Sequence, residues 1–140
     1  MIILDTNVVF ALMAPSRNPT VVEWLDRQAE TDIWTTSVTV MESRYGLGLL
    51  PEGRRKTELD AAFSALLHED LEDRVLAFDR LAADHAAAIA LDLKRGGQTL
   101  DFRDVQIAAI AFSRRATVAT RNVRHFAHSG VNLVNPWVDP

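Results

Sequence analysis

The sequence predicts an α/β domain with a mainly parallel sheet of five strands and helices on both of its faces. Two observations carry that expectation. Short apolar runs (MIIL, DIWTT, RVLAF, ATVAT and VNLV) alternate along the whole chain with longer segments of helical periodicity. The first run, MIIL, is apolar on both faces, as a strand covered on both sides must be. Length agrees, because 140 residues is the size of one ordinary domain, and 48% hydrophobic residues suffice for a substantial core.

In chain order, MIIL is the first strand and NVVFALM a short helix. APSRNP is a break. TVVEWLDRQ has apolar residues at helical spacing and starts at Thr20, a good N-cap type. DIWTT is the second strand. SVTVMESRYGLGLL follows as a helix with Ser37 as the expected cap, and PEGRRKTELDAAFSALLHE is a further helix with Pro51 near its start. RVLAF is the third strand. DRLAADHAAAIALDLKRG is a strong helix that starts at Asp79 and stops at Gly96–Gly97. DFRDVQIAAIAFSRR is apolar on most faces, which predicts a buried helix. ATVAT, RNVRHFA and VNLV complete the chain as strand, short helix and strand.

Composition excludes several classes. Cysteine is absent, so disulfides, thiolate metal sites and Cys nucleophiles are out. No apolar run is long enough to span a bilayer, and no basic stretch precedes the N-terminal apolar run. These points predict a soluble, cytoplasmic protein with no membrane partner. The formal net charge of -4 does not advertise nucleic-acid binding. Basic residues nevertheless cluster at Arg54–Arg55–Lys56, Arg114–Arg115 and Arg121/Arg124.

The chemistry concentrates in carboxylates placed inside apolar segments. Asp5 ends the first strand, Glu42 lies on the helix after the second, and Asp104 opens the buried helix. Each has a plain structural role open to it. Asp5 can cap a helix, Glu42 can be solvated, and Asp104 falls at the third helical position after an Asp101 cap, where an acid suits the helix terminus. In parallel sheets, however, sites form beyond the carboxyl ends of the strands; Asp5 lies at such an end, and Glu42 and Asp104 each lie near the start of a helix. Converging carboxylates repel one another and call for a hard divalent cation such as Mg²⁺ or Mn²⁺.

ILDTNVV, TSVTVMESRYG, DFRDVQIAAIA and VATRNVRHF, in that order, resemble the four motif blocks of PIN-domain ribonucleases. More narrowly they resemble VapC-like toxins of toxin–antitoxin pairs, and the closing NPW is similar to one branch of these. The resemblance implies an α/β/α sandwich over a single nuclease domain, residues 1–140. It implies a Mg²⁺-dependent endoribonuclease, with Mn²⁺ as the alternative ion. Cellular RNA, including tRNA, would be cut by water that the metal activates. Asp5, Glu42 and Asp104 match the catalytic acids, with Asp5 and Asp104 as metal ligands. Thr6 matches a supporting hydroxyl, and Thr120 and Asn122 match the polar block after the fourth strand. Many relatives carry a further acid in that block, where this chain has Asn122 and His125. Arg121, beside the expected cleft, is the candidate phosphate contact. His125 is expected to be a surface residue without a role, as are His68, His85 and His128. Arg44 is expected in a surface salt bridge, and Trp24, Trp34 and Trp137 as core or interface anchors. The resemblance also implies a small cognate antitoxin and a homodimer or toxin–antitoxin hetero-oligomer. YGLGLL and AAFSALL are candidate contact segments.

Two other classes remain. One is a non-catalytic PIN-type RNA-binding or docking module. The other is a metal-dependent phosphatase of the haloacid-dehalogenase type, which needs a second acid two residues after the first. Asn7 stands there instead.

Overall fold

The computed structural model describes residues 1–139. Five parallel strands form the sheet: β1 (Ile2–Leu4), β2 (Ile33–Thr36), β3 (Val75–Leu76), β4 (Thr117–Ala119) and β5 (Asn132–Val134). Their order is β3-β2-β1-β4-β5. The helices are α1 (Thr6–Leu12), α2 (Pro19–Asp26), α3 (Ser37–Gly48), α4 (Arg54–Ala65), α5 (Arg80–Arg95), α6 (Phe102–Arg114) and α7 (Val123–Phe126).

Alternation within β1 builds two cores. Leu4 joins Val8 and Val9 of α1, Val21 and Trp24 of α2 and Phe63 of α4 on one face. Ile3 joins Ala82 of α5, Ile107, Ile110 and Ala111 of α6 and Phe126 of α7 on the other. This is why MIIL carries no polar residue: both faces of the central strand are covered. The chain winds outward from β1 to β3 and returns past β1 to β4. The order of strands therefore reverses between β1 and β4, and a crevice opens there beyond their C-terminal ends.

Several local expectations need correction. Helix α2 starts at Pro19, and Asn18 precedes it without capping it; the Asn18 amide instead donates to the carbonyls of Ala11 and Ala14. The cap of α3 is Thr36, whose hydroxyl accepts from the Thr39 N–H at 3.1 Å. Ser37 turns the other way and accepts from the Phe78 N–H at 3.2 Å, tying α3 to the end of β3. Helix α4 begins at Arg54 after Gly53, three residues beyond Pro51, and ends in a π-helical turn over Leu66–Asp70. In AAFSALL the large side chains Phe63, Leu66 and Leu67 are buried, and only small residues such as Ala61 reach the surface. Tyr45 and Leu49 of YGLGLL are exposed at 67% and 68%, which leaves that segment available to a partner. Trp24 is a core anchor as expected, and Trp34 and Trp137 pack on the two cores. Among the described residues, no helix is long and apolar enough to cross a membrane.

Candidate active site

Asp5 follows β1 and is 4% exposed, yet each carboxylate oxygen has partners. Oδ1 accepts the Thr6 N–H at 2.8 Å, which starts α1. Oδ2 accepts the Thr120 hydroxyl at 2.7 Å and the Asn7 amide at 2.9 Å. Asp5 therefore caps its helix and also faces the crevice. Burial pushes its carboxyl above the ordinary range, and the hydrogen bonds from Thr120, Thr6 and Asn7 pull it back only in part.

The second acid arrives on α3. Thr6 donates its hydroxyl to Oε1 of Glu42 at 3.1 Å, with the Thr39 hydroxyl 3.4 Å away. Burial also raises the Glu42 carboxyl, against the pull of Thr6 and of Arg103. The third acid is Asp104. The capping of α6 is performed by Asp101, whose Oδ1 accepts the Arg103 N–H at 2.9 Å. Asp104 faces His125, its Oδ2 3.1 Å from Nδ1. Its carboxyl is pushed up to about 6 by burial, then by the charges of Asp101 and Asp5, with His125 opposing. The three acids thus come together from three segments of the chain: Asp104 feels the charges of Asp5 and Glu42, and Glu42 feels that of Asp5.

The polar block after β4 completes the rim. Thr120 is fully buried and accepts the Asn122 N–H at 3.0 Å while donating to Asp5. The Asn122 side chain is exposed and makes no cap bond to α7. Arg121 is exposed; its N–H donates to Oδ1 of Asn7 at 3.0 Å, and its guanidinium lies 5.0 Å over the Trp137 ring. Arg44 turns away from the cleft, stacking 4.6 Å over Phe63 rather than pairing with an acid.

Three residues were not assigned to the site from sequence. Asn7 ties Asp5, Thr120 and the Arg121 backbone together through one amide. His125, expected to be idle, sits against Asp104. Arg103 lies between Asp101 and Glu42, with Nη1 3.6 Å from Oε2 of Glu42. The available signal was weak: Asn7 and Arg103 are polar residues within two positions of an acid, and His125 stands in a polar block that holds no acid.

The donor set is all oxygen and anionic, which suits a hard divalent cation. Among the described residues, no three Asp, Glu or His side chains enclose an ion by themselves. An ion here would retain several waters, as Mg²⁺ does readily. The charge of Asp5 raises the Asp104 carboxyl, a repulsion that a cation bound by both would offset.

A parallel α/β sandwich with a carboxylate cleft at its strand-order reversal defines a class of folds that bind their ligands in that cleft. The family match narrows this: residues 2–130 match the PIN domain, and the chain belongs to that family. It is 34% identical over 137 residues to the VapC ribonuclease Y4jK of Sinorhizobium fredii, covering 98% of each chain. It is 36% identical over 139 residues to the toxin FitB of Neisseria gonorrhoeae, covering 99% of this chain and all of that one. Its fold superposes on a chain of the solved structure of FitAB bound to an IR36 DNA fragment with a TM-score of 0.90. That match has 35% identity and covers 100% and 98% of the two chains.

Proposed function

We propose that this chain is a metal-dependent endoribonuclease, the toxin of a toxin–antitoxin pair, acting in the cytoplasm on cellular RNA, with tRNA the substrate class to test first. Residues 1–140 would act as one nuclease domain. The observation that carries the reading is the convergence of Asp5, Glu42 and Asp104 on one crevice, where burial raises all three carboxyls. The names of its relatives supply the class: a VapC ribonuclease, a toxin, and an assembly with DNA.

In this reading Asp5 and Asp104 hold Mg²⁺, or Mn²⁺ in its place. The ion supplies charge for the phosphate and lowers the pKa of water near it. The chain's own residues do the rest. Thr120 and Asn7 fix the Asp5 carboxylate in one orientation. Thr6 steers Glu42, which completes the acidic cluster. Arg121 and Asn122, exposed on the rim, are placed to meet the RNA backbone. The antitoxin is a small cognate protein, and the exposed Tyr45 and Leu49 on α3 suit a homodimer or hetero-oligomer contact. Incubation of purified chain with total cellular RNA tests the activity. Discrete cleavage products that need Mg²⁺ or Mn²⁺ are expected, and intact RNA at every metal concentration would refute it.

A further inference from the structure

An anionic cleft needs a cation of its own before it can hold an anionic polymer. Asp5, Glu42, Asp101 and Asp104 all lie at this edge of the sheet. The other candidate cations lie apart from these acids. Arg44 stacks on Phe63, and Arg121 stacks on Trp137. Arg54 and Lys56 pair with Glu58 and Asp60 on their own helix. Among the described residues, Arg103 is the one Arg or Lys side chain within ion-pair distance of any of the three proposed catalytic acids.

Its geometry is more than charge balance. Asp101 holds it from one side, with Nε 3.4 Å from Oδ1 and Nη2 3.3 Å from Oδ2. Asp101 is itself fixed, because the same carboxylate caps α6. The fork is therefore oriented by a residue anchored to backbone. Nη1 remains 3.6 Å from Glu42, beyond a good hydrogen bond, and the side chain is 54% exposed. A guanidinium has five N–H donors in a rigid plane; two contacts go to Asp101, and the Nη1 donors, 3.6 Å from Glu42, make no short hydrogen bond and can donate to a phosphate oxygen.

We infer that Arg103 is a substrate-positioning residue, held by Asp101 so that its Nη1 edge meets a backbone phosphate of single-stranded RNA next to Glu42. The inference rests on the nuclease reading above and adds a residue to it.

Binding of a fluorescein-labelled oligouridylate, followed by anisotropy in EDTA across a KCl series, reads the contact without any cleavage. Arg103→Gln is expected to bind about tenfold more weakly, with a log–log salt slope shallower by about one phosphate contact. Arg103→Lys keeps the charge and loses the fork, so it should restore the slope but only part of the affinity. In Mg²⁺, Arg103→Gln should raise KM for RNA cleavage several-fold with little change in kcat. The half-exposed site makes misfolding of either variant checkable by its melting curve. A wild-type slope and affinity in Arg103→Gln would overturn the assignment while leaving a cleaving wild type as a nuclease. A wild type that neither binds nor cleaves RNA would overturn the nuclease reading and this inference with it.

Discussion

Thr120 donates its hydroxyl to Oδ2 of Asp5 at 2.7 Å across 115 residues of sequence. The two residues follow β1 and β4, whose register pairs Leu4 with Ala119, so the bond lies where the strand order reverses. The same hydroxyl accepts from the Asn122 N–H. Thr120→Val keeps the shape, removes the donor, and leaves a backbone N–H without its partner. Unsatisfied buried groups cost about 1–3 kcal/mol each, so a loss of about 2 kcal/mol is expected by urea denaturation. Thr120→Ser should stay within about 1 kcal/mol of wild type. A Val variant as stable as wild type would mean the bond contributes nothing.

Asn7 is the second clamp on Asp5, and its amide also bridges to the Arg121 N–H. Asn7→Asp replaces a donor by a second carboxylate against Oδ2 of Asp5. Two carboxylates in a buried setting repel, and at least one then takes up a proton. The variant is expected to melt well below wild type at pH 7 in EDTA and to regain much of the difference near pH 5. Equal melting temperatures at pH 7 would place Asn7 outside the network.

Asp104 links the site to pH. Its carboxyl is pushed up to about 6, above the ordinary value of 3.8. The folded state then keeps a proton that the unfolded chain gives up from about pH 4 onward. Stability of metal-free protein should therefore be highest below about pH 4 for this group and fall as pH rises through about 6, then level off. Asp5 and Glu42, also raised, act with the same sign. Asp104→Asn removes this titration, and Asp101 retains the helix cap. The variant should be more stable than wild type by about 1 kcal/mol at pH 7 in EDTA, and less stabilised by Mg²⁺. A lower melting point with an unchanged Mg²⁺ response would confine Asp104 to a charge role in the first turn of α6.

The layout of strands and helices was legible because β1 is apolar on both faces and α6 on most of its surface, and neither pattern suits a surface element. Boundaries were less legible. Thr36 and Ser37 are both good caps in isolation, and the choice depends on Phe78, 41 residues away, taking the Ser37 hydroxyl. The order of strands was not legible, since β3 contributes only Val75–Leu76 and the pairing of β1 with β4 is long-range. In the candidate site the acids stood out as charges in apolar runs. Asn7, Arg103 and His125 did not, because their partners lie on other elements: Thr120, Glu42 and Asp104. Asp104 itself was ambiguous until Asp101 was seen to carry the cap.

Asn122 stands in the block where the resemblance to PIN-domain ribonucleases implies a further acid, and its exposed side chain caps nothing. Asn122→Asp adds charge at the rim without removing a hydrogen bond of the fold. Calorimetric titration is expected to give tighter Mg²⁺ binding, by several-fold or with a second ion. Unchanged affinity and stoichiometry would mean that position 122 does not face the cation.

In the proposed function a cation is held between Asp5 and Asp104. Both can be changed to Asn with little change of shape. The most direct measurement is cleavage of total cellular RNA by wild type, Asp5→Asn and Asp104→Asn across a Mg²⁺ titration, with EDTA as the zero point. The expected result is Mg²⁺-dependent cleavage by wild type, none in EDTA, and at least a hundredfold loss in both variants with their folds retained. Undiminished cleavage by metal-free wild type, or wild-type rates in either variant, would contradict it.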